Sequence, residues 1–139
     1  MSIAATVAFV LYLLAALVSF LLGMLYLTRS SIMPWHEVAV GIPWAQIDSR
    51  MQALLLSQLR VAGAGFTAAA LSMAFLLFIP FRAGESWALF AIPAVGLCIA
   101  VPTLMVLLHM RKRTGARPLL AFSGGVVVLI VAGFISSWF

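Results

Sequence analysis

Four long apolar segments, separated by polar connections, restrict the fold of this chain more than any other feature. A helix that crosses the hydrocarbon core of a bilayer needs about 20 predominantly apolar residues. Segments of this kind are expected at about residues 3–28, 53–80, 86–110 and 118–138. Because backbone N–H and C=O groups in lipid must be hydrogen-bonded within the chain, these segments are predicted to be helices.

The composition agrees with membrane-spanning helices and argues against a soluble domain. Of the 139 residues, 65% are hydrophobic and only 8% are charged, whereas soluble domains have about 25% charged residues. The predicted fold class is an all-α membrane protein, a single domain over residues 1–139 that forms a four-transmembrane-helix bundle. The first apolar segment is expected to be retained as a span, because it lacks the positive n-region and the short apolar run of a signal peptide.

Lys and Arg residues are distributed unevenly among the connections. Seven of the eight lie in the first and third connections, and only Arg82 lies in the second. Cytoplasmic loops carry an excess of Lys and Arg, so the first and third connections are predicted to be cytoplasmic. The chain is then expected in a bacterial inner membrane, with both termini in the periplasm. We interpret the net charge of +5 as a consequence of this orientation and expect no nucleic-acid partner.

The first connection is the longest, and it is predicted to contain a short interfacial helix at about residues 34–41. The apolar face of this helix, spaced i, i+3, i+4 and i+7, consists of Trp35, Val38, Ala39 and Ile42. Because Trp favours the membrane–water interface, the helix is expected to lie there, between the first two spans. Ser49 and Gln52 match a capping box, with Asp48 as the alternative cap. The second long helix is therefore expected to begin near residue 49 or 50.

Stripes of small and polar residues predict which faces of the spans point into the bundle. Small residues allow membrane helices to pack closely, and a charge at membrane depth usually faces the protein interior or water. Arg60 shares such a stripe with Gly63 and Thr67 and is expected to point inward. The stripe of the first span includes Tyr12, Ala15, Ala16, Ser19, Gly23 and Tyr26, and that of the fourth includes Ala121, Gly125, Val128, Ala132 and Ser136.

Polar functional groups gather at the predicted cytoplasmic end. The candidate ligand-binding residues are Tyr26, Arg29, His36, Glu37, Arg60 and His109, and the candidate lipid head-group residues are Arg111, Lys112, Arg113 and Arg117. Basic clusters at a cytoplasmic membrane surface attract anionic lipids. A site is therefore expected at the cytoplasmic mouth of the bundle, covered by the short helix. The alternative is that these residues only satisfy one another, with Arg29 or Arg60 paired to Glu37 or Asp48.

Several chemistries lack the residues that they need. No span has a carboxylate away from its ends, as a proton-coupled drug antiporter would require, and the single cysteine, Cys98, cannot form a CxxC redox pair. His36 and His109 lie at one end, whereas a haem-binding bundle has His in facing spans. Adjacent residues such as His36 and Glu37 do not converge well on a metal. No catalytic residue, metal site or cofactor is therefore predicted.

Two segments carry a resemblance to known proteins. The sequence LRVAGAGFTAAA at residues 59–70, together with four short spans, resembles DoxX-like bacterial membrane proteins. The Met-Pro-Trp-His segment at residues 33–36 resembles a segment that follows the first helix in uncharacterised bacterial four-span proteins. The size and topology also resemble membrane-associated glutathione- and eicosanoid-metabolising enzymes, but Gln58 and Arg60 do not match their Arg, Asn and Glu signature. These resemblances imply a four-span bundle and transfer no catalytic residue.

Three hypotheses for function remain open. The first is a non-enzymatic binding or accessory protein whose cytoplasmic mouth binds an anionic amphiphile or a partner protein. The second is a small membrane enzyme or carrier in which His36 or His109 acts as acid–base and Arg60 binds an anionic substrate. The third is an accessory subunit that packs against a larger membrane complex through its small-residue faces. Membrane lipids are the expected partners in each case, and homo-oligomerisation stays open.

Overall fold

The computed structural model describes residues 2–139, which form helices and connecting turns without a strand. The five α-helices are α1 (Ile3–Thr28), α2 (Pro34–Val40), α3 (Ser49–Leu76), α4 (Ala88–Thr114) and α5 (Leu120–Ser136). A 3-10 turn at Trp44–Gln46 precedes α3, and a π-helical turn at Leu77–Phe81 extends it. The prediction of an all-α chain is confirmed.

Three helical segments are long and apolar enough to cross a membrane, namely Ile3–Thr28, Ser49–Phe81 and Ala88–Thr114. Helix α5 is also apolar but has only 17 residues, which corresponds to about 26 Å. The hydrocarbon core of a bilayer is about 30 Å thick. By length and composition, residues 2–139 therefore contain three candidate spans and one shorter apolar helix, where four full spans were predicted.

The four long helices pack in the order α1, α3, α4 and α5 around a common core. Helix α1 packs mainly against α3 and α5, and α4 completes the arrangement by packing against the same two helices. The main core holds the largest fully buried side chains, which include Tyr12, Met73, Leu77, Ile92 and Ile130. A second, smaller cluster lies nearer to α2 and consists of Tyr26, Met33, Leu59 and Phe66.

The stripe predicted as the inner face of α1 is confirmed, whereas that of α5 is wrong. On α1, the residues of the predicted stripe are buried. On α5, Val128 is 66% exposed, and the buried residues are Ser123, Val126, Ile130 and Gly133. Gly133 fits closely against Tyr12, because a Cβ atom on Gly133 would lie 3.0 Å from the Tyr12 ring. Small residues occur on more than one side of α5, so the sequence pattern did not single out the face that packs.

The first connection folds into α2, and its end starts α3. Pro34 opens α2, and Gly41 ends it with a left-handed backbone at φ 82°, a conformation that favours glycine. Helix α3 begins at Ser49, as expected, but its cap is Asp48 and not Ser49. The Asp48 carboxylate accepts hydrogen bonds from the backbone N–H groups of Arg50, at 3.0 Å, and Met51, at 3.4 Å. Asp48 thus satisfies donors that a helix start leaves free.

Candidate functional site

A groove of about 510 Å³ lies between α3 and α4 at the end of the bundle where α2 packs. Its wall is formed by side chains of α2, α3 and α4, completed by Tyr26 and Ile32. Most of these side chains are apolar, and the polar ones are Tyr26, His36, Gln58 and Thr103. Within the part of the chain that the structure describes, no charged side chain lines the groove. The groove therefore suits an apolar occupant with few polar atoms.

Helix α2 is held over the groove by the two residues that precede it. Ile32 and Met33 are buried, and Met33 packs with Tyr26, Leu59 and Phe66. Trp35 packs against the same cluster, so it is part of the bundle rather than only a membrane anchor. Met33 was not among the predicted site residues, because an apolar residue in an apolar chain gives no signal of its own.

The predicted apolar face of α2 is divided between the bundle and the outside. Trp35 packs against the buried cluster and Ala39 lines the groove, whereas Val38 and Ile42 are exposed. His36 lines the groove as well. The interfacial position of this helix stays a prediction.

Glu37 is engaged in the turn between α2 and α3. Its Oε1 atom accepts a hydrogen bond from the backbone N–H of Trp44 at 3.1 Å. The side-chain amide of Gln52 donates to the carbonyl oxygen of the same Trp44 at 2.8 Å. Trp44 is thereby fixed from both sides, and the Glu37 carboxylate has a structural role at this turn. It is not among the residues that line the groove.

Tyr26 and His36 are the two predicted site residues that the structure brings together in the groove. The Tyr26 ring packs edge-on against Phe66, with 5.8 Å between the ring centroids. His36 is partly buried, and desolvation lowers its pKa below the ordinary value. The imidazole is therefore neutral at neutral pH and offers one N–H donor and one acceptor nitrogen.

Other predicted site residues lie outside the groove. Arg29 donates from Nε to the carbonyl oxygen of Ser31 at 3.3 Å. Arg60 and His109 are exposed and do not contribute to the groove wall. The inward orientation predicted for Arg60 is wrong, because its neighbour Leu59 is buried in the cluster beside Tyr26, and successive helix residues are about 100° apart.

The alternative in which the arginines pair with Glu37 or Asp48 receives no support. Both carboxylates accept hydrogen bonds from backbone N–H groups, Glu37 from Trp44 and Asp48 from Arg50 and Met51. These bonds tie the connection together locally. Arg29 is engaged with Ser31, whereas Arg60, Arg111, Arg113 and Arg117 are exposed.

A cluster of four basic residues, here called the basic edge, lies at and just after the C-terminal end of α4 and consists of Arg111, Lys112, Arg113 and Arg117. Arg111, Lys112 and Arg113 form the last turn of α4, and all three are exposed, as is Arg117. Arg113 is three residues after Met110, which lines the groove, so it continues the groove-facing stripe of α4. Positive charge is also favourable at the C-terminal end of a helix. By this spacing Arg113 lies about one turn of α4 beyond the groove, whereas Arg111 and Arg117 line a separate recess beside the start of α5.

No protein family model, curated protein or solved structure matches this chain. Function is therefore inferred from the groove and its basic edge. The resemblance to DoxX-like bacterial membrane proteins stays a prediction.

Gln58 and Thr103 are polar residues of the groove that were not among the predicted site residues, although Gln58 is one of the polar residues placed at the predicted cytoplasmic end. The Thr103 hydroxyl donates to the carbonyl oxygen of Ile99 at 2.7 Å, whereas Gln58 is exposed. Thr103 is an isolated polar residue in an apolar run, which is the signal that could have found it, whereas Gln58 lies beside Ser57 and close to Arg60. Their proximity to Tyr26 and His36 is a tertiary property, since the four residues come from four different helices.

Proposed function

We propose that this chain is a non-enzymatic, four-span protein of a bacterial inner membrane that binds an anionic amphiphile in the groove. The observation that carries the proposal is an uncharged, mainly apolar groove whose α4 wall ends at Met110, directly before the basic last turn of that helix at Arg111–Arg113. An acyl chain occupies the groove, and its anionic head group lies at the basic edge. Charge complementarity thus favours a membrane lipid over an apolar protein segment as the occupant.

The dimensions of the groove suit a lipid chain that enters from the side. On α4 the groove extends from Pro102 to Met110, which is about 12 Å of helix. Val106, between them, is 65% exposed, so the groove is open along its flank. A lipid in the adjacent leaflet can therefore insert one chain while its head group stays at the membrane surface.

The shortness of α5 is compatible with a fourth span. Trp138 lies just beyond α5 and packs with Phe90 and Phe134, with ring centroids 5.9 Å apart in both pairs. Aromatic residues of this kind favour the membrane–water interface, and short spans are accommodated by local thinning of the bilayer.

The distribution of Lys and Arg supports a cytoplasmic groove mouth and periplasmic termini.

Native mass spectrometry of the purified protein, loaded with phosphatidylglycerol or phosphatidylcholine of identical chains, tests the proposal. We expect preferential retention of the anionic lipid and a loss of this preference in Arg113→Gln. Arg60→Gln is the matched control, because Arg60 is exposed but outside the groove wall. Equal retention of the two lipids by the unmodified protein would count against an anionic ligand.

The groove itself is tested by a second pair of variants. Ala62→Leu places a larger side chain in the groove wall and should lower the retention of both lipids. Ala64→Leu makes the same change on the same helix at an exposed position outside the groove and should leave retention unchanged. Identical retention in the two variants would place the lipid elsewhere on the protein.

The enzyme or carrier hypothesis is less well supported. It relies on a histidine acting beside Arg60 at the cytoplasmic mouth. His36 lines the groove, but Arg60 and His109 do not, so the structure brings no cation and acid–base pair together there.

A further inference from the structure

A second and much smaller cavity lies deeper in the bundle than the groove. It has a volume of about 20 Å³ and lies between Ser19 of α1, Ala100 of α4 and Ser123 of α5, and we call it the inner cavity. On α1 the groove meets Tyr26, whereas the inner cavity begins at Leu22, about one helical turn away. The inner cavity is therefore further from α2 than the groove is.

Two residues, Phe66 and Thr103, line both the groove and the inner cavity. Among the residues that the structure describes, Phe66 is the only one from α3 that lines the inner cavity. It is also the last residue along α3 in the groove wall. Its side chain is 7% exposed, so the ring fills the space in which it lies. The Phe66 ring therefore stands at the boundary between the two cavities.

The Phe66 ring is held by neighbours from both cavities. On the groove side it packs edge-on against Tyr26, with 5.8 Å between the ring centroids, and it shares a buried cluster with Leu59. Leu22 and Ile99, which line the inner cavity, pack against the same cluster. Close-packed side chains of this kind stay in well-defined rotamers. The ring is therefore a fixed wall between the groove and the inner cavity.

We infer that Phe66 is the end wall of the groove and sets the depth to which an acyl chain enters. The inference rests on the proposed function and assigns a specificity-determining residue to it. The inner cavity alone has room for about one water molecule, so the end of the chain stops at the ring. Without the ring, the space along α4 extends from Pro102 to Ile99, about 4.5 Å deeper, and reaches α5.

A phosphatidylglycerol with a photoactivatable diazirine at the end of one acyl chain tests this inference on the full-length protein in detergent. Peptide mass spectrometry locates the crosslinks, and an excess of unlabelled phosphatidylglycerol identifies those that are displaceable. In the unmodified protein we expect displaceable label on the groove residues of α3 and α4 and none at Ser123 or Val126, which line the inner cavity on α5. In Phe66→Ala, displaceable label should appear at both of these positions.

Native mass spectrometry gives a second measurement of the same change. The retention of dipalmitoyl relative to dilauroyl phosphatidylglycerol should be about 2- to 10-fold higher in Phe66→Ala than in the unmodified protein. This is the range expected when the longer chain fills a cavity of this size. Phe66→Leu removes less volume and costs less stability, so it should show the same shift with a smaller amplitude.

A control on the same helix separates the outcomes. Phe75 is 63% exposed and lines neither cavity, so Phe75→Ala should match the unmodified protein in both measurements. Displaceable label on α5 in the unmodified protein, or label confined to the groove in both Phe66 variants, overturns this inference and leaves the proposed function standing. Absence of displaceable label from the groove of the unmodified protein overturns both.

Discussion

Gly23 and Gly63 bring the backbones of α1 and α3 into direct contact. A Cβ atom on Gly63 would lie 2.8 Å from the carbonyl oxygen of Gly23 and 2.9 Å from the Cβ atom of Tyr26. Distances this short are not tolerated between real atoms, so only glycine permits the approach. Tyr26, three residues after Gly23, packs against Phe66, three residues after Gly63, so this aromatic pair is the next contact along the same helix interface.

Gly63→Ala should therefore destabilise the bundle by about 1–3 kcal/mol, the usual cost of overpacking. Thermal unfolding in detergent, followed by circular dichroism, measures the change. Gly65→Ala is the control on the same helix, because its Cβ atom would meet only Ile99 Cδ1 at an ordinary 3.6 Å. Since alanine has the higher helix propensity, the control should unfold at the same or a higher temperature. Equal stability of the two variants would contradict the close contact.

Asp48 and Ser49 were the two candidate N-cap residues of α3, and substitution of each one distinguishes them. We expect Asp48→Ala to cost about 1 kcal/mol, because the carboxylate accepts the backbone N–H groups of Arg50 and Met51. Ser49→Ala should have a much smaller effect, since Ser49 is already the first helical residue. Chemical denaturation of both variants in the same detergent gives the comparison. A larger cost for Ser49→Ala would restore the capping box that the sequence suggested.

Met33 should be the main attachment of α2 to the bundle. It is 2% exposed and packs with Tyr26, Leu59 and Phe66, so Met33→Ala should cost about 2–5 kcal/mol. We expect faster hydrogen exchange in the backbone amides of α2, measured by mass spectrometry. Met51→Ala is the matched control, because Met51 is 48% exposed and should leave α2 exchange unchanged. Unaltered α2 exchange in Met33→Ala would show that another residue holds the helix.

The docking of α2 should weaken as the pH falls. Burial lowers the pKa of His36 below its ordinary value of 6.5. As the pH falls, His36 therefore binds a proton at a higher pH when α2 is detached from the bundle (undocked) than when α2 is packed on it (docked). The docked state then has its full stability above about pH 6.5, loses stability as the pH falls below that value, and reaches a plateau below the docked-state pKa. Because the groove wall, over the residues that the structure describes, has no charged side chain, we assign this titration to His36.

Hydrogen exchange of α2 at about pH 7.5 and about pH 5.5, values on either side of the ordinary histidine pKa and corrected for intrinsic rates, measures the effect. Protection should be lower at the acidic pH in the unmodified protein. His36→Gln keeps a polar side chain that does not titrate in this range, so its protection should be the same at both pH values. Equal pH dependence in the two proteins would exclude His36 as the titrating group.

The contrast between α1 and Arg60 shows how far local pattern can predict packing. On α1, the stripe of small and polar residues differs clearly from the Leu, Val and Phe around it, and the structure buries that stripe. Around Arg60, the predicted stripe is only partly buried, because Gly63 is buried and Thr67 is half-buried whereas Arg60 is exposed. An apolar residue gains little by burial when its alternative is lipid, so close fit to the neighbouring helix decides the rotation.

The sequence by itself determined the helical class, the approximate extent of the long helices, and the helix in the first connection. These follow from apolar run length, from Pro and Gly at helix ends, and from local spacing, all of which act within a few residues. The tertiary structure alone decided that α5 turns Ile130 inward, that Met33 anchors α2, and that a groove opens between α3 and α4. The physical reason is that shape fit between residues distant in sequence sets helix rotation and leaves the gap that forms the groove.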